Sequence, residues 1–414
     1  MNVVIVGSFW FPHGAASAAR VRNLALGLRE RGARVHVIGT VPQPRPRADG
    51  PRTLCPGITY EYAAPMQAAV DGWRDQDRTV PRLRARLVDK VRWFAGMYAS
   101  TPAACRLVAG RIERGECDLV VVYDRSLVRI APLARACRAR GVTVVLDVVE
   151  ASEQQRRRGL NFLYWDFAAG ARATPRLFDG ITVISGALES LYRSLGCTNT
   201  LVMPSIEAWP PPPPVSSTGN PEFRLAYVGA LQERDAPGIL LDAMRVLAHR
   251  RAPVVLDVMG HYEGTPQGRR FRAECDSDPL LATRVRFRGS LSDQALQTAL
   301  ASSDGLVLTR RDARTEELSF PTRLVEYLRH GRPVFVSDVG DVGRYLRHGL
   351  EAVLLHPRDP MRVAGAVDDI ARRPDRGAEI GLRGREAGAR SFDRAVHAGR
   401  LLEFAATLRR RSAA

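Results

Sequence analysis

Short runs of β-branched residues recur along this chain, each set beside a longer stretch of helical character. "NVVIVG" (Asn2–Gly7) comes first, then a helical pattern from about Ser17 to Arg31 closed by Gly32, then "ARVHVIG". Further on stand "CDLVVVYD" (Cys117–Asp124), a helical stretch near Val128–Arg140, "VTVVLDVVE" (Val142–Glu150) and "DGITVIS" (Asp179–Ser185). A strand apolar on both faces must be covered on both, and strands alternating with helices give βαβ units and a parallel sheet. The pattern restarts with "FRLAYVG" (Phe223–Gly229), a helix at Ala236–His249, "PVVLDVMG" (Pro253–Gly260), "RVRFRG", a helix at Ser292–Ser302 and "DGLVLT". Between the two sets lies "WPPPPP", followed by "VSSTGN". Consecutive prolines fix φ and remove amide donors, so this stretch is a semi-rigid linker and neither helix nor central strand.

The expected architecture is therefore α/β, with two Rossmann-like domains over 1–205 and 222–391 and a linker over 206–221. A cleft between them would face the carboxyl ends of both sets of strands, where open α/β sheets bind ligands. A last helix over 392–410 places Leu401, Leu402, Phe404, Ala405 and Leu408 where they can pack back on the first half.

Composition narrows the function. A chain of 414 residues fits two domains, and 45% hydrophobic residues suffice for two cores. No run approaches about 18 uninterrupted apolar residues, so no membrane-spanning helix is expected. The first strand is too short for a signal-peptide core and lacks a basic leader, which predicts a cytoplasmic protein. Cys55, Cys105, Cys117, Cys137, Cys197 and Cys275 are far apart, against a zinc site or a disulfide framework. The net charge of +17 is carried almost wholly by arginine, Lys90 being the single lysine. Such a charge favours anionic partners. No nucleic-acid motif or aromatic–basic interleaving accompanies it, so nucleic acid is not expected. In "VPRLRARLVDKVRWFAGMY", Leu83, Leu87, Val91 and Phe94 share one helical face and Arg82, Arg86 and Lys90 another. The favoured reading is a core helix with a solvated basic face; peripheral contact with an anionic membrane is the other.

"SFPTRLVEYLRHGRPVFVSD" (Ser319–Asp338) reads as a short helix and a buried strand. Thr322 can cap the helix after Pro321, and Gly331 and Pro333 mark its end. Leu324, Val325 and Leu328 form its apolar stripe, while Arg323 and Glu326 share a different face. A surface ion pair and a ligand site are the two readings of that cation and carboxylate.

With "LAYVGALQERDAPGILLDAM", this stretch resembles the retaining GT-B glycosyltransferases, the large family of bacterial mannosyl- and glucosyltransferases. The first half matches more loosely, through "SFWFPHGAASAARVRNLALGLRERGARVHVIGT", "LDVVE" and "DGITVISGALESLYRSLG". The resemblance implies a nucleotide-sugar donor of GDP or UDP type in the second half and a small-molecule or glycan acceptor in the first. It implies no cofactor, no metal and no protein nucleophile. Glu326 falls at the family's ribose-binding glutamate, and a carboxylate can accept from two ribose hydroxyls at once. Arg323 and Arg234 fall at its two phosphate-binding cations, which would stabilise the departing diphosphate. The N–H groups around Phe320 and Thr322 would face the distal phosphate, and Gly229 and Gly260 count with the donor site. On the acceptor side, Gly14 would let the backbone approach, with His13 beside it. Tyr123, Asp124, Asp147 and Glu150 end buried strands. Their carboxylates would hold acceptor hydroxyls or amines, or else cap helices and pair with Arg156–Arg158.

Two departures bear on the sugar. The family's sugar-binding glutamate has Leu318 in its place, with Glu317 adjacent and Glu316 one further off. The family's arginine after the phosphate-loop glycine is Ala230. A donor other than plain glucose or mannose follows, as in specialised metabolism. A GT-B nucleotide-sugar epimerase and a non-catalytic nucleotide- or surface-binding relative are the alternatives. No G-x-G-x-x-G follows the first strand, and no P-loop lysine, H-E-x-x-H or serine elbow is present.

Overall fold

Buried β-branched strands need neighbours on both edges, and the chain supplies them twice. The computed structural model describes residues 1–13, 16–41, 51–63, 83–151, 162–211 and 222–413, with the backbone alone for 83–97 and 412–413. Two units result, Met1–Ala208 with Arg394–Ala414, and Trp209–Asp393.

In the first unit the strands are β1 (Asn2–Gly7), β2 (Arg34–Gly39), β3 (Arg52–Cys55), β4 (Ile58–Tyr62), β5 (Leu119–Tyr123), β6 (Thr143–Val148), β7 (Gly180–Val183) and β8 (Thr200–Val202). They form one sheet in the order β3-β4-β2-β1-β5-β6-β7-β8. All its pairings are parallel except β3 on β4 at the edge. The second unit holds β9 (Phe223–Val228), β10 (Val254–Met259), β11 (Val285–Gly289), β12 (Gly305–Leu308), β13 (Val334–Ser337) and β14 (Val353–Leu355), wholly parallel in the order β11-β10-β9-β12-β13-β14. Both sheets reverse direction of growth at one point, between β1 and β5 and between β9 and β12. Loops leaving those strand ends diverge, which opens a crevice there.

The terminal helix begins at Arg394, not at residue 392. Phe392 instead ends a separate helix, Pro374–Phe392, and Asp393 takes an extended conformation that breaks the two apart. Ala398, Leu401, Ala405 and Leu408 of the terminal helix join Ile5, Leu24 and Val121 in the first core. The helices approach closely at Gly27, where a Cβ would lie 2.4 Å from the Arg394 carbonyl oxygen. Phe392 packs in the second unit on Phe320 and Tyr345.

The proline-rich joint is attached at its start. Asn23 donates to the Ile206 carbonyl at 3.0 Å, and Trp209 lies under the Arg385 guanidinium. Residues 212–221 lie outside the described residues, as do residues 80–82 and the side chains of 83–97 in the basic amphipathic segment. The backbone of that segment from Leu83 onward belongs to a long helix, Leu83–Glu113.

Candidate functional site

In the second unit the site grows from the end of β9. The Gly229 N–H donates to the Met259 carbonyl, and the Gly260 N–H to that of Gly289, both at 2.8 Å. Gly260 has φ +115°, and a Cβ there would sit 2.7 Å from the Gly229 carbonyl oxygen. These two glycines thus bring three strand ends together, and their amides are used within the sheet.

The loop that follows crosses the left-handed region twice without glycine, at Leu231 (φ 49°) and Ala236 (φ 45°). Such residues cost about 1–3 kcal/mol each and persist only where surrounding bonds hold them. Asp235 accepts from the Gln232 N–H at 2.8 Å, Thr309 donates to the Asp235 carbonyl at 2.6 Å, and the Arg311 N–H to the Arg234 carbonyl at 2.9 Å. The backbone of Arg234 is therefore tied to the loop leaving β12. Its exposed guanidinium has no protein partner among the described residues.

The helix predicted in the Ser319–Asp338 stretch spans Thr322–Leu328. Pro321, not Thr322, stands at its cap; the proline ring holds φ at −72° and its carbonyl accepts from the Leu324 N–H. Thr322 is its exposed first residue, and Phe320 is buried. Arg323 donates to the carbonyl of Val228, the last residue of β9. One turn on, the buried Tyr327 hydroxyl accepts from the N–H of that same Val228 at 2.8 Å. Burial pushes the Tyr327 phenol well above its ordinary pKa. Glu326, half-buried, accepts from Gln297 Nε2 at 3.2 Å. Arg323 and Glu326 thus turn to different partners, and the surface ion pair that their spacing allows is not formed.

Leu318 is buried and Glu317 exposed. The buried carboxylate of this segment is Glu316, paired with the buried Arg310 at the end of β12. Arg310 also donates to Ser319 Oγ at 3.0 Å and through its N–H to Ser337 Oγ at 2.9 Å. Burial lowers the Arg310 pKa; Glu316 and Asp235 oppose that shift, and the nearby Arg234 adds to it.

In the first unit a cavity of about 340 Å³ lies at the carboxyl ends of β1, β5 and β6, lined by Tyr123, Asp124, Asp147 and Glu150 among others. Both oxygens of Asp147 face the buried Arg20, at 2.8 Å each, and Oδ1 also accepts from Thr182 at 2.7 Å. Burial disfavours the Arg20 cation, and Asp147 more than offsets this, so the Arg20 pKa rises. Asp124 accepts from Ser8 at 2.5 Å, from Arg129 at 2.7 Å and from the N–H groups of Arg125 and Ser126. Burial alone would raise the Asp124 pKa; Arg129 and these donors hold it below the usual carboxylate range. Capping and ion pairing are therefore what occupy Asp124 and Asp147. Glu150 pairs with Arg125 at 2.6 Å, a partner other than the expected Arg156–Arg158, which lie outside the described residues. Tyr123 lines the cavity, with its phenol pKa pushed up by burial and then by Asp147. His13 is exposed and does not line it, and Gly14 lies outside the described residues.

Arg310, Gln297 and Tyr327 are not singled out by the sequence, and Glu316 stood out only as a glutamate two residues before Leu318. Tyr327 lies inside the motif, in "VEYL", three residues after Leu324, where a tyrosine flanking the apolar stripe was the available signal.

Residues 222–373 match the family model "Glycosyl transferases group 1". Among curated proteins, a D-inositol 3-phosphate glycosyltransferase of Geodermatophilus obscurus is 30% identical over 179 residues, 42% of this chain and 38% of that protein. Its counterpart in Streptomyces scabiei is 28% identical over 161 residues, 37% of this chain and 35% of that protein. The chain thus spans little more than a third of the curated relatives it matches. Among solved structures, sucrose-phosphate synthase of Thermosynechococcus elongatus aligns with TM-score 0.70 at 16% identity, over 97% of this chain and 98% of that one. Anabaena HepE in complex with UDP aligns with TM-score 0.66 at 14% identity, over 98% and 100%. The fold is that of the GT-B glycosyltransferases.

Proposed function

We propose that this chain, whose residues 222–373 carry a glycosyltransferase group 1 domain, is a retaining glycosyltransferase with a nucleoside-diphosphate-sugar donor. One observation carries the reading. Beside the end of β9, at the sheet's reversal point, Arg234 stands without a protein partner among the described residues and Arg323 bonds, among them, only a neutral carbonyl, with Glu326 one turn on. Unneutralised guanidinium groups are what a diphosphate needs, and a carboxylate is what two ribose hydroxyls need.

The reaction proposed is the one the resemblance to the retaining family implies. An acceptor oxygen, nitrogen or sulfur forms a bond to the anomeric carbon as the bond from that carbon to the diphosphate oxygen breaks. The attack comes from the face the diphosphate leaves, and a phosphate oxygen takes the acceptor's proton. Negative charge grows on the leaving group, so Arg234 and Arg323 contribute more in the transition state than before it. HepE, of the same fold, is known in complex with UDP-glucose. The buried Leu318 offers no polar atom to the sugar, and Glu317 beside it is exposed. A deoxygenated, substituted or extended sugar suits such a lining better than glucose or mannose.

A thermal-stability screen with UDP, GDP, dTDP and ADP tests the reading. A ligand of the folded state stabilises by about 2.7 kcal/mol at 100 times its Kd. At least one nucleotide should raise the melting temperature, and its sugar conjugates should be consumed. If none of the four does so, the assignment is wrong.

A further inference from the structure

The chain as a whole is strongly cationic, at +17. Among the described residues, the cavity of the first unit is not. Its described charges form three arginine–carboxylate pairs, Arg20 with Asp147, Arg125 with Glu150 and Arg129 with Asp124. Each guanidinium is thus matched by a carboxylate at hydrogen-bond distance. A phosphate or carboxylate on an acceptor would need a cation released from its partner, leaving a carboxylate uncompensated, and for Asp124 and Asp147 a buried one.

Two lining hydroxyls remain available. Neither the Tyr123 hydroxyl nor that of Ser17 has a hydrogen-bond partner among the described residues. Burial keeps the Tyr123 phenol protonated, so it is a neutral donor at any ordinary pH. The rest of the wall is apolar. Val41, Val148, Leu163 and Phe167 line it, and the Phe167 ring is held by the Arg125 guanidinium 4.4 Å from its centroid. A fixed ring and aliphatic neighbours favour a flat apolar group, because aromatic pairs gain beyond the area they bury.

We propose that this cavity takes an uncharged acceptor bearing an aromatic or similarly flat apolar part, and rejects phosphorylated and carboxylated acceptors. The inference rests on the glycosyltransferase reading for the word acceptor; the pocket's preference is measured without the donor.

The test is equilibrium binding of three probes to the full chain by calorimetry: 4-nitrophenyl β-glucoside, methyl β-glucoside and glucose 6-phosphate. The aryl glucoside should bind at least about 10-fold tighter than the methyl glucoside, an aromatic pair and its buried area together supplying that margin. Glucose 6-phosphate should give no heat of binding. Phe167→Ala should remove the aryl advantage. Phe167→Leu, which keeps apolar bulk, should retain part of it and serves if the alanine chain does not fold. Equal or tighter binding of glucose 6-phosphate overturns the proposal, as does an absent aryl advantage, an advantage unchanged in the folded Phe167 variant, or no binding of any probe. Nucleotide binding in the stability screen is independent of all three probes. Failure of the pocket's preference and failure of the glycosyltransferase reading are thereby separate results.

Discussion

Arg323 donates to the carbonyl of Val228 from the first turn of a helix, so the residue proposed to meet a diphosphate also fastens the strand end beside it. Tyr327, one turn on, holds the N–H of the same Val228. Arg234 has no such second duty among the described residues, where its guanidinium is exposed and unpartnered. The two arginines should therefore separate by stability. Arg323→Ala should lower both turnover and melting temperature, by about 1–2 kcal/mol in stability for a half-buried charge-assisted bond. Arg234→Ala should leave stability within about 0.5 kcal/mol. Each should lower kcat by about 100-fold or more with a smaller change in donor affinity. Unfolding curves and steady-state kinetics on both variants decide it; equal stability losses would contradict the division of labour.

Glu326→Ala should weaken nucleotide binding while the chain stays folded. Its one described side-chain bond is to Gln297 at 3.2 Å, so little of the fold depends on it. Loss of a charge-assisted bond to ribose is worth about 1.5–3 kcal/mol, or about 10- to 100-fold in Kd. Calorimetry with the nucleotide found in the stability screen measures this, and an unchanged Kd would remove Glu326 from the site.

Much of this was legible beforehand. "NVVIVG", "LVVVY" and "VVLDVMG" announce buried parallel strands because nothing but two covered faces tolerates them. Strands β3 and β4 left no such signal: "RTLC" is the edge strand and "ITYEY" the one beside it, where polar residues are admissible. The helix cap was misplaced by one residue because threonine is a good cap by type, while Pro321 already fixes the required φ. Asp124 and Asp147 looked like ligand carboxylates because they end buried strands. Their partners Arg129 and Arg20 are 5 and 127 residues away in sequence, and spacing cannot show the longer pairing. The division between Glu316 and Glu317 was equally hidden, because adjacent glutamates differ only by which one meets Arg310.

That last difference is testable. Glu316→Gln leaves Arg310 buried without its counter-charge, and breaking a buried pair from one side costs about 3–5 kcal/mol. Glu317→Gln alters an exposed side chain and should change stability by under about 0.5 kcal/mol. Denaturant unfolding of the two variants side by side is the measurement. A reversed order would mean that the exposed glutamate carries the structural contact.

His330 predicts how the second unit responds to acid. It follows the helix that carries Arg323 and Glu326 and is itself buried. Burial first, then the neighbouring Arg329 and Arg332 guanidinium groups, push its pKa down to about 4. In the unfolded chain an imidazole titrates near about 6.5. Above that value neither state holds the proton, and the residue adds no pH dependence. Between about 6.5 and about 4 the unfolded chain binds a proton that the folded chain refuses, so stability falls as the pH falls. The full window amounts to a loss on the order of 3 kcal/mol. His36, also buried and shifted down, titrates in the same direction, so the comparison must be made against a variant. His330→Asn should unfold with a visibly flatter dependence of melting temperature on pH between about 6.5 and about 4.5 at constant ionic strength. Parallel curves for the two proteins would show that His330 takes up its proton in the folded state as readily as in the unfolded one, and that its burial carries no linkage.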